Sequence, residues 1–171
     1  NIKHIIMGKS AIYIAELERE AVGTLKYLES VPNDKLTWKP HEKSMDMGAL
    51  VKHIAEMPHF IYLTLWKDEL DFAKEPYDAS PLESKEKAIA DFKKGYAAAM
   101  EILKTTSDEE LMKPWSMRNG ADIYFTMPRI AVLRTFCMNH LYHHRGQLSV
   151  YLRLNDIPLP GIMGPSADEM K

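Results

Sequence analysis

The sequence predicts an all-α protein: a four-helix bundle with one long crossover connection and an irregular C-terminal tail. Four long segments carry apolar residues at three- and four-residue steps, as amphipathic helices do. Prolines separate these segments, and the alternation typical of strands is scarce. The 11 methionines, with many leucines and alanines, favour helix. The length of 171 residues predicts a single domain over residues 1–171.

The first two predicted helices each have one apolar face. The first runs from about Lys9 to Glu29 and ends before Pro32, because proline cannot continue a helix. The second begins near Ser44 or Asp46, which are both favourable N-cap residues, and runs to about Leu70. Its inward face contains a histidine among leucine, isoleucine and methionine.

The third predicted helix runs from about Glu83 to Thr105 and follows a proline-containing linker over Asp71–Leu82. This linker is long enough to cross the bundle. The stretch Pro114–Met127 contains the turn pair Asn119-Gly120 and is predicted to form a loop or a small hairpin.

The fourth predicted helix starts with Thr126 as its cap and Pro128 in its first turn, and it ends near Leu154. The residues Leu159–Lys171 contain prolines and glycines and form the predicted irregular tail. Four helices of similar length, each with one apolar face, bury those faces most simply as a four-helix bundle.

Charge and cysteine content exclude several classes of function. Lysine plus arginine is 22 and aspartate plus glutamate is 24, so the net charge is −2 and the basic excess of a nucleic-acid-binding protein is missing. A single cysteine excludes a disulfide framework and any multi-cysteine metal site. No apolar run suggests a leader or a membrane span, and we therefore expect a cytoplasmic protein without a membrane partner.

Three of the seven histidines form a candidate metal site. His140 and His144 are four residues apart on the fourth helix, so they share one inward face. His53 lies on the inward face of the second helix. Three neutral imidazoles would leave coordination positions open, as in catalytic sites, and they suit Zn, Ni, Fe or Cu. The alternative is a set of core histidines satisfied by ordinary hydrogen bonds.

Other residues near these histidines have competing interpretations. Gln147, one turn beyond His144, is a candidate for orienting a ligand or bound water, or a polar residue at the edge of the core. His143 should flank the inward face, outside the ligand set. Cys137 could be a ligand or reactive thiol, but a lone cysteine on an apolar face is more often simply buried. Glu56 could be a base near the metal, although a solvated glutamate is the commoner case.

A di-iron site is excluded by the sequence. Glu56 and His59 fit the Glu-x-x-His pattern of di-iron bundles, but these sites need a second copy on another helix, and none is present. The histidines without a partner at useful spacing are interpreted as surface residues: His4, His41 and His59.

The sequence resembles the DinB-like family from about residue 10 to residue 169. The segments that carry this resemblance are VPNDKLTWKP, GALVKHIAEM around His53, NHLYHHRGQLSVYLRLNDIPLP, and GPSADE in the tail. The His-Arg-Gly-Gln run at 144–147 is the most specific part, together with one histidine four residues earlier and another on the second helix.

The resemblance implies an antiparallel four-helix bundle that is often dimeric and that holds a divalent metal with a histidine triad, here His53, His140 and His144. Relatives include transferases and isomerases that use low-molecular-weight thiols such as bacillithiol or mycothiol. We therefore expect a metal-dependent thiol S-transferase that acts on a small molecule. A metal-dependent hydrolase and a non-enzymatic metal- or ligand-binding protein of a stress response are the alternatives.

Overall fold

The computed structural model describes residues 8–170, and most of them are helical. The helices are α1 (Lys9–Ser30), α2 (Met47–Trp66), α3 (Lys85–Thr105), α4 (Asp108–Met112), α5 (Arg129–Val132) and α6 (Asn139–Arg153). The strands are β1 (Glu69–Asp71), β2 (Pro114–Asn119) and β3 (Asp122–Pro128). The predicted helical class is thus confirmed, and the small sheet is a correction to the all-α prediction.

Side-chain caps define where α2 and α3 start. The carboxylate of Asp46 accepts a hydrogen bond of 2.7 Å from the backbone N–H of Ala49, so α2 begins where one of the two candidate caps predicted it. Ser84 caps α3 in the same way, at 3.2 Å. The prediction that the second helix runs to Leu70 is wrong, because the chain leaves α2 after Trp66 and pairs as β1.

The sheet has the order β1-β2-β3, with β1 parallel to β2 and β2 antiparallel to β3. Of the two predictions for Pro114–Met127, the hairpin is the one observed; Gly120, at a φ of 59°, makes its turn. Thr126 lies in β3, where its hydroxyl is 2.7 Å from that of Ser116. It is therefore not the cap of the fourth helix, which begins only at Arg129.

The fourth predicted helix is one helical run with a change of hydrogen-bonding pattern inside it. α5 is followed by a stretch of π-helix over Leu133–Met138, and α6 begins directly after it. Such π segments are often found at functional sites. Here the stretch ends two residues before His140.

The long helices bury their apolar faces against one another. α2 packs chiefly against α3 and also against α6, while α1 packs against α3 and α6. The main cluster between them contains Leu28, Leu50, Ile54, Phe92 and Leu148, each fully buried. Over residues 8–170, no helix combines the length and the apolar character that crossing a membrane requires.

A buried ion pair ties α6 to α1. The Arg145 guanidinium lies 2.7 Å from a carboxylate oxygen of Glu20, and both side chains are below 10% exposure, at 7% and 2%. Arg145 also donates to the hydroxyl of Thr24 at 3.1 Å. Because Arg145 is next to His144 in the chain, this contact fixes the rotation of α6 that turns His144 inward.

Candidate metal centre

The three histidines predicted from the sequence come together between α2 and α6. His53 is supplied by α2, and His140 and His144 are supplied by α6. One ring nitrogen from each lies within 4.8 Å of the others, and Nε2 of His53 is 3.3 Å from Nε2 of His140. His144 is buried, and the other two are half-buried. The two helices therefore present a compact group of imidazoles that solvent can still reach.

The spacing of these nitrogens fits a common metal ion. Two imidazole nitrogens bound to one tetrahedral zinc are about 3.4 Å apart, since each Zn–N bond is about 2.0–2.1 Å. The His53–His140 separation of 3.3 Å is close to this value. The ring centroid of His144 lies 4.6 Å from that of His53 and 4.5 Å from that of His140, so the three rings form a triangle rather than a row.

Each histidine also has an acceptor near its second ring nitrogen. The amide oxygen of Gln147 lies 2.7 Å from Nδ1 of His144, which places the proton on Nδ1 and leaves Nε2 free to bind. The backbone of Phe136 favours the protonated form of His140, although burial and the neighbouring histidines outweigh this effect and lower its pKa. Nδ1 of His53 lies 3.9 Å from a carboxylate oxygen of Glu56. This arrangement of outer acceptors is typical of metal-binding histidines.

Glu56 is itself held in place by a residue from the linker. The Tyr77 hydroxyl donates to Glu56 Oε2 at 3.1 Å, and the ring of Tyr77 meets that of His53 edge-on with centroids 6.4 Å apart. Burial, and then the negative charge of Glu56, raises the pKa of Tyr77 to about 12. The hydroxyl therefore stays protonated and remains a donor. The solvated glutamate of the sequence interpretation is instead a half-buried neighbour of the site.

His140 and His144 are neutral near pH 7, which is the state that binds a metal. Burial, and then the nearby His144 and His53, lowers the pKa of His140 to about 4. Burial is also the largest cause of the lowered pKa of His144.

The remaining candidates lie outside this group. Cys137 is 1% exposed, and burial raises the pKa of its thiol to about 12, which makes it an inert core residue. His143 is exposed, with its ring centroid 4.9 Å from that of His144. His41 is exposed, and its Nδ1 accepts a hydrogen bond from the backbone N–H of Lys43. His59 stacks on Tyr62, and His4 lies outside the described residues.

The sequence interpretation missed the aromatic surroundings and the role of Tyr77. Phe136 packs against His140, with ring centroids 5.4 Å apart, and Phe60 packs against Phe136 at 5.5 Å. The i,i+3 spacing of His53 and Glu56 could have indicated their contact. Tyr77 lies 21 residues beyond Glu56, in a segment without regular structure, and no local pattern relates the two.

Several known proteins are similar to this chain. YrdA, an uncharacterized protein of Bacillus subtilis (strain 168), is 26% identical over 158 residues, which are 92% of this chain and 89% of YrdA. The crystal structure of the DinB-like protein YjoA of Bacillus subtilis has a TM-score of 0.64 at 21% identity, covering 88% of this chain and 98% of YjoA. A DinB-like protein of Bacillus cereus ATCC 10987 has a TM-score of 0.66 at 23% identity, covering 88% of this chain and 95% of the other.

At these identities the two crystal structures show a shared fold and nothing about activity. The family assignment comes from the sequence as a whole. The model of the DinB family matches residues 7–169, which is nearly the entire chain. This protein belongs to the DinB family.

Proposed function

We propose that His53, His140 and His144 hold a divalent metal ion, and that the protein is a metal-dependent enzyme transferring a low-molecular-weight thiol to an electrophilic small molecule. The observation that supports metal binding is the group of three imidazole nitrogens within 4.8 Å of one another. The acceptor 2.7 Å from the second nitrogen of His144 strengthens this proposal, because it orients that ring for binding.

The donor set also limits which ion is bound. Neutral imidazoles suit zinc, nickel and iron, and three protein ligands leave at least one position for a substrate or a water molecule. Such an open position is typical of catalytic sites rather than structural ones.

Thiol transfer is the activity proposed for this site. The chemistry that a bound divalent ion would supply is stabilisation of a thiol as its thiolate near neutral pH. The thiolate sulfur would form a bond to the electrophilic carbon of the substrate, the leaving group would depart with the bonding electron pair, and the thiol proton would pass to solvent. The resemblance to thiol-dependent relatives supports this choice.

The chain's own residues fit a sulfur nucleophile that arrives with a cosubstrate. Cys137, the one cysteine of the chain, is buried with a raised pKa and cannot serve as nucleophile without unfolding its surroundings. Phe136, which is backed by Phe60, covers one side of His140 with an apolar ring and reduces the access of water to that side.

Metal analysis tests the first half of the proposal. Protein purified with zinc, nickel and iron available should hold close to one divalent ion per chain, and His140→Ala should lose it. His41→Ala is the matched control, because His41 is an exposed histidine that does not belong to the cluster. Retention of the metal by His140→Ala, or loss by both variants, contradicts the assigned ligands.

A turnover screen tests the second half. Metal-loaded protein should accelerate the reaction of a thiol such as bacillithiol or cysteine with alkylating electrophiles, and chelation should remove the acceleration. Hydrolysis of ester or amide substrates without thiol dependence would indicate the hydrolase instead. A bound metal with neither activity would indicate the non-enzymatic binding protein.

Two further expectations remain proposals. We propose that the four long segments form a four-helix bundle, which is supported by the ring of contacts α1–α3, α3–α2, α2–α6 and α6–α1. We also propose a homodimer in solution, and a single 19.6 kDa species in sedimentation experiments would contradict it.

A further inference from the structure

We propose that a pocket of about 310 Å³ on the outer side of His53 is a binding site for an uncharged or cationic small molecule with one compact apolar group. The pocket lies between the exposed side of α2 and residues 70–78. This proposal does not depend on the proposed function, because none of the three histidines lines the pocket.

The pocket and the histidine group share a wall. Glu56 and Tyr77 line the pocket, and the same two side chains contact His53, at 3.9 Å from its Nδ1 and edge-on to its ring respectively. A molecule in the pocket would therefore lie on the Nδ1 side of His53, beyond Glu56 and Tyr77. The opposite side of the ring, with Nε2, faces His140 in the proposed metal site.

The floor and the roof of the pocket are largely apolar. Phe60 and Leu63 of α2 form the floor, and Leu70 and Phe72 contribute to the roof. Small-molecule sites are typically apolar clefts of about 300–1,000 Å³ with a few polar groups. Since a cavity of about 150 Å³ holds a benzene molecule, there is room for one ring and a short substituent.

Two lysines hold the roof in place, one inside α2 and one directly after its last residue. Lys52 donates to the backbone oxygen of Asp78 at 2.7 Å and to its carboxylate at 3.0 Å, and it also reaches the backbone oxygen of Ser80 at 3.0 Å. Lys67 contacts the Glu75 carboxylate at 2.5 Å. Because both ends of the roof are anchored, the pocket exists before a ligand arrives, which reduces the cost of binding.

The charges around the pocket select against anions. Its carboxylates are Glu56, Glu75 and Asp78, and none of its lining residues is lysine or arginine. Lys67 and Lys52 are already paired with Glu75 and Asp78, whereas Glu56 accepts a hydrogen bond from the Tyr77 hydroxyl and lies 3.9 Å from Nδ1 of His53. His59, whose pKa is lowered mainly by burial, adds no positive charge at neutral pH. An anionic ligand would therefore be repelled by Glu56.

Three probes of one shape test this selectivity. Benzyl alcohol, benzylamine and benzoate would each be titrated into the full-length protein, with and without zinc, and followed by ligand-observed NMR. The alcohol and the amine should bind, and benzoate should bind at least about threefold more weakly. Equal affinity for benzoate, or no binding by any probe, overturns the proposal.

Two variants locate the binding. Leu63→Trp fills the pocket and should abolish benzyl alcohol binding, whereas Met163→Trp should not, because Met163 is 81% exposed and lines a separate cavity. Glu56→Gln keeps the size of the side chain and removes its charge, so benzoate affinity should rise about threefold relative to benzyl alcohol. This second variant keeps the test decisive if Leu63→Trp does not fold; an unchanged affinity ratio in Glu56→Gln overturns the proposal.

The outcomes separate this proposal from the proposed function. If the protein binds benzyl alcohol but no divalent metal, the proposed metal-dependent activity is contradicted and the proposed pocket is supported. If the histidines bind a metal but none of the probes binds, the proposed pocket is contradicted and the proposed metal site is supported.

Discussion

The side-chain amide oxygen of Gln147 accepts a hydrogen bond from Nδ1 of His144 across 2.7 Å. This contact decides which nitrogen of a buried histidine is available to a metal. Gln147 itself is exposed and only one turn farther along α6, so it can be changed without opening the core.

Gln147→Ala is expected to weaken zinc binding about tenfold, because His144 loses the acceptor that fixes its tautomer and orientation. Competition with a zinc indicator at pH 7 measures this. Ser149→Ala, which removes another polar side chain on the same helix, should leave zinc affinity unchanged. Equal affinities for Gln147→Ala and the unmodified protein would show that the contact does not serve the site.

Tyr77→Phe is expected to weaken zinc binding by a smaller factor, about threefold to tenfold. It removes the hydroxyl that holds Glu56, and a carboxylate oxygen of Glu56 lies 3.9 Å from Nδ1 of His53. Calorimetric titration with zinc measures the loss. The matched control is Tyr124→Phe, at an exposed tyrosine near the hairpin turn, which should bind zinc normally. Identical affinities in the two variants would contradict a role for Tyr77.

The metal-free protein should lose stability as the pH falls from about 6.5 towards 4. The folded-state pKa of His140 is about 4, below its ordinary value of 6.5, so the unfolded chain binds more protons in this range. The contribution of His140 is fully present above pH 6.5 and is lost as the pH falls through 4. Urea unfolding between pH 7 and pH 5 measures it.

His140→Asn provides the reference for this pH dependence. The difference in free energy of unfolding between the original protein and the variant should shrink as the pH falls, since the variant has no imidazole to protonate at this position. A difference that stays constant from pH 7 to pH 5 would contradict the lowered pKa.

Glu20→Leu is expected to destabilise the fold by about 3–5 kcal/mol, because Arg145 would keep its charge in a buried position without a carboxylate partner. Denaturant unfolding at pH 7 gives the value. Glu101→Ala breaks a pair between exposed side chains, Lys104 and Glu101, and should cost less than about 1 kcal/mol. Similar costs for the two variants would indicate that the Glu20–Arg145 pair contributes no more than a surface contact.

The helical part of the fold could be predicted because it is encoded locally. Apolar residues at helical spacing, the Asp46 cap and the separating prolines placed the long helices within a few residues of their observed ends. The sequence predicts the hairpin only as an alternative to a loop. β1 was not foreseen, because its three residues pair with Ser116–Arg118, more than 40 positions away, and a three-residue strand has no periodicity of its own.

The candidate site likewise has one part that follows from the sequence and another that does not. The i,i+4 spacing of His140 and His144 and the inward position of His53 follow from helix geometry, so the sequence alone determined which histidines belong together. Whether they hold a metal stays a prediction.

Only the tertiary structure decided what surrounds these histidines. Helical periodicity predicts which face of α2 is buried, but it does not predict that Tyr77, from the linker, contacts Glu56. It also does not predict that Lys52 and Lys67 bind that linker against α2. The physical reason is that these contacts join residues far apart in the chain, and they form only when the packing of α2 brings the linker back across its surface.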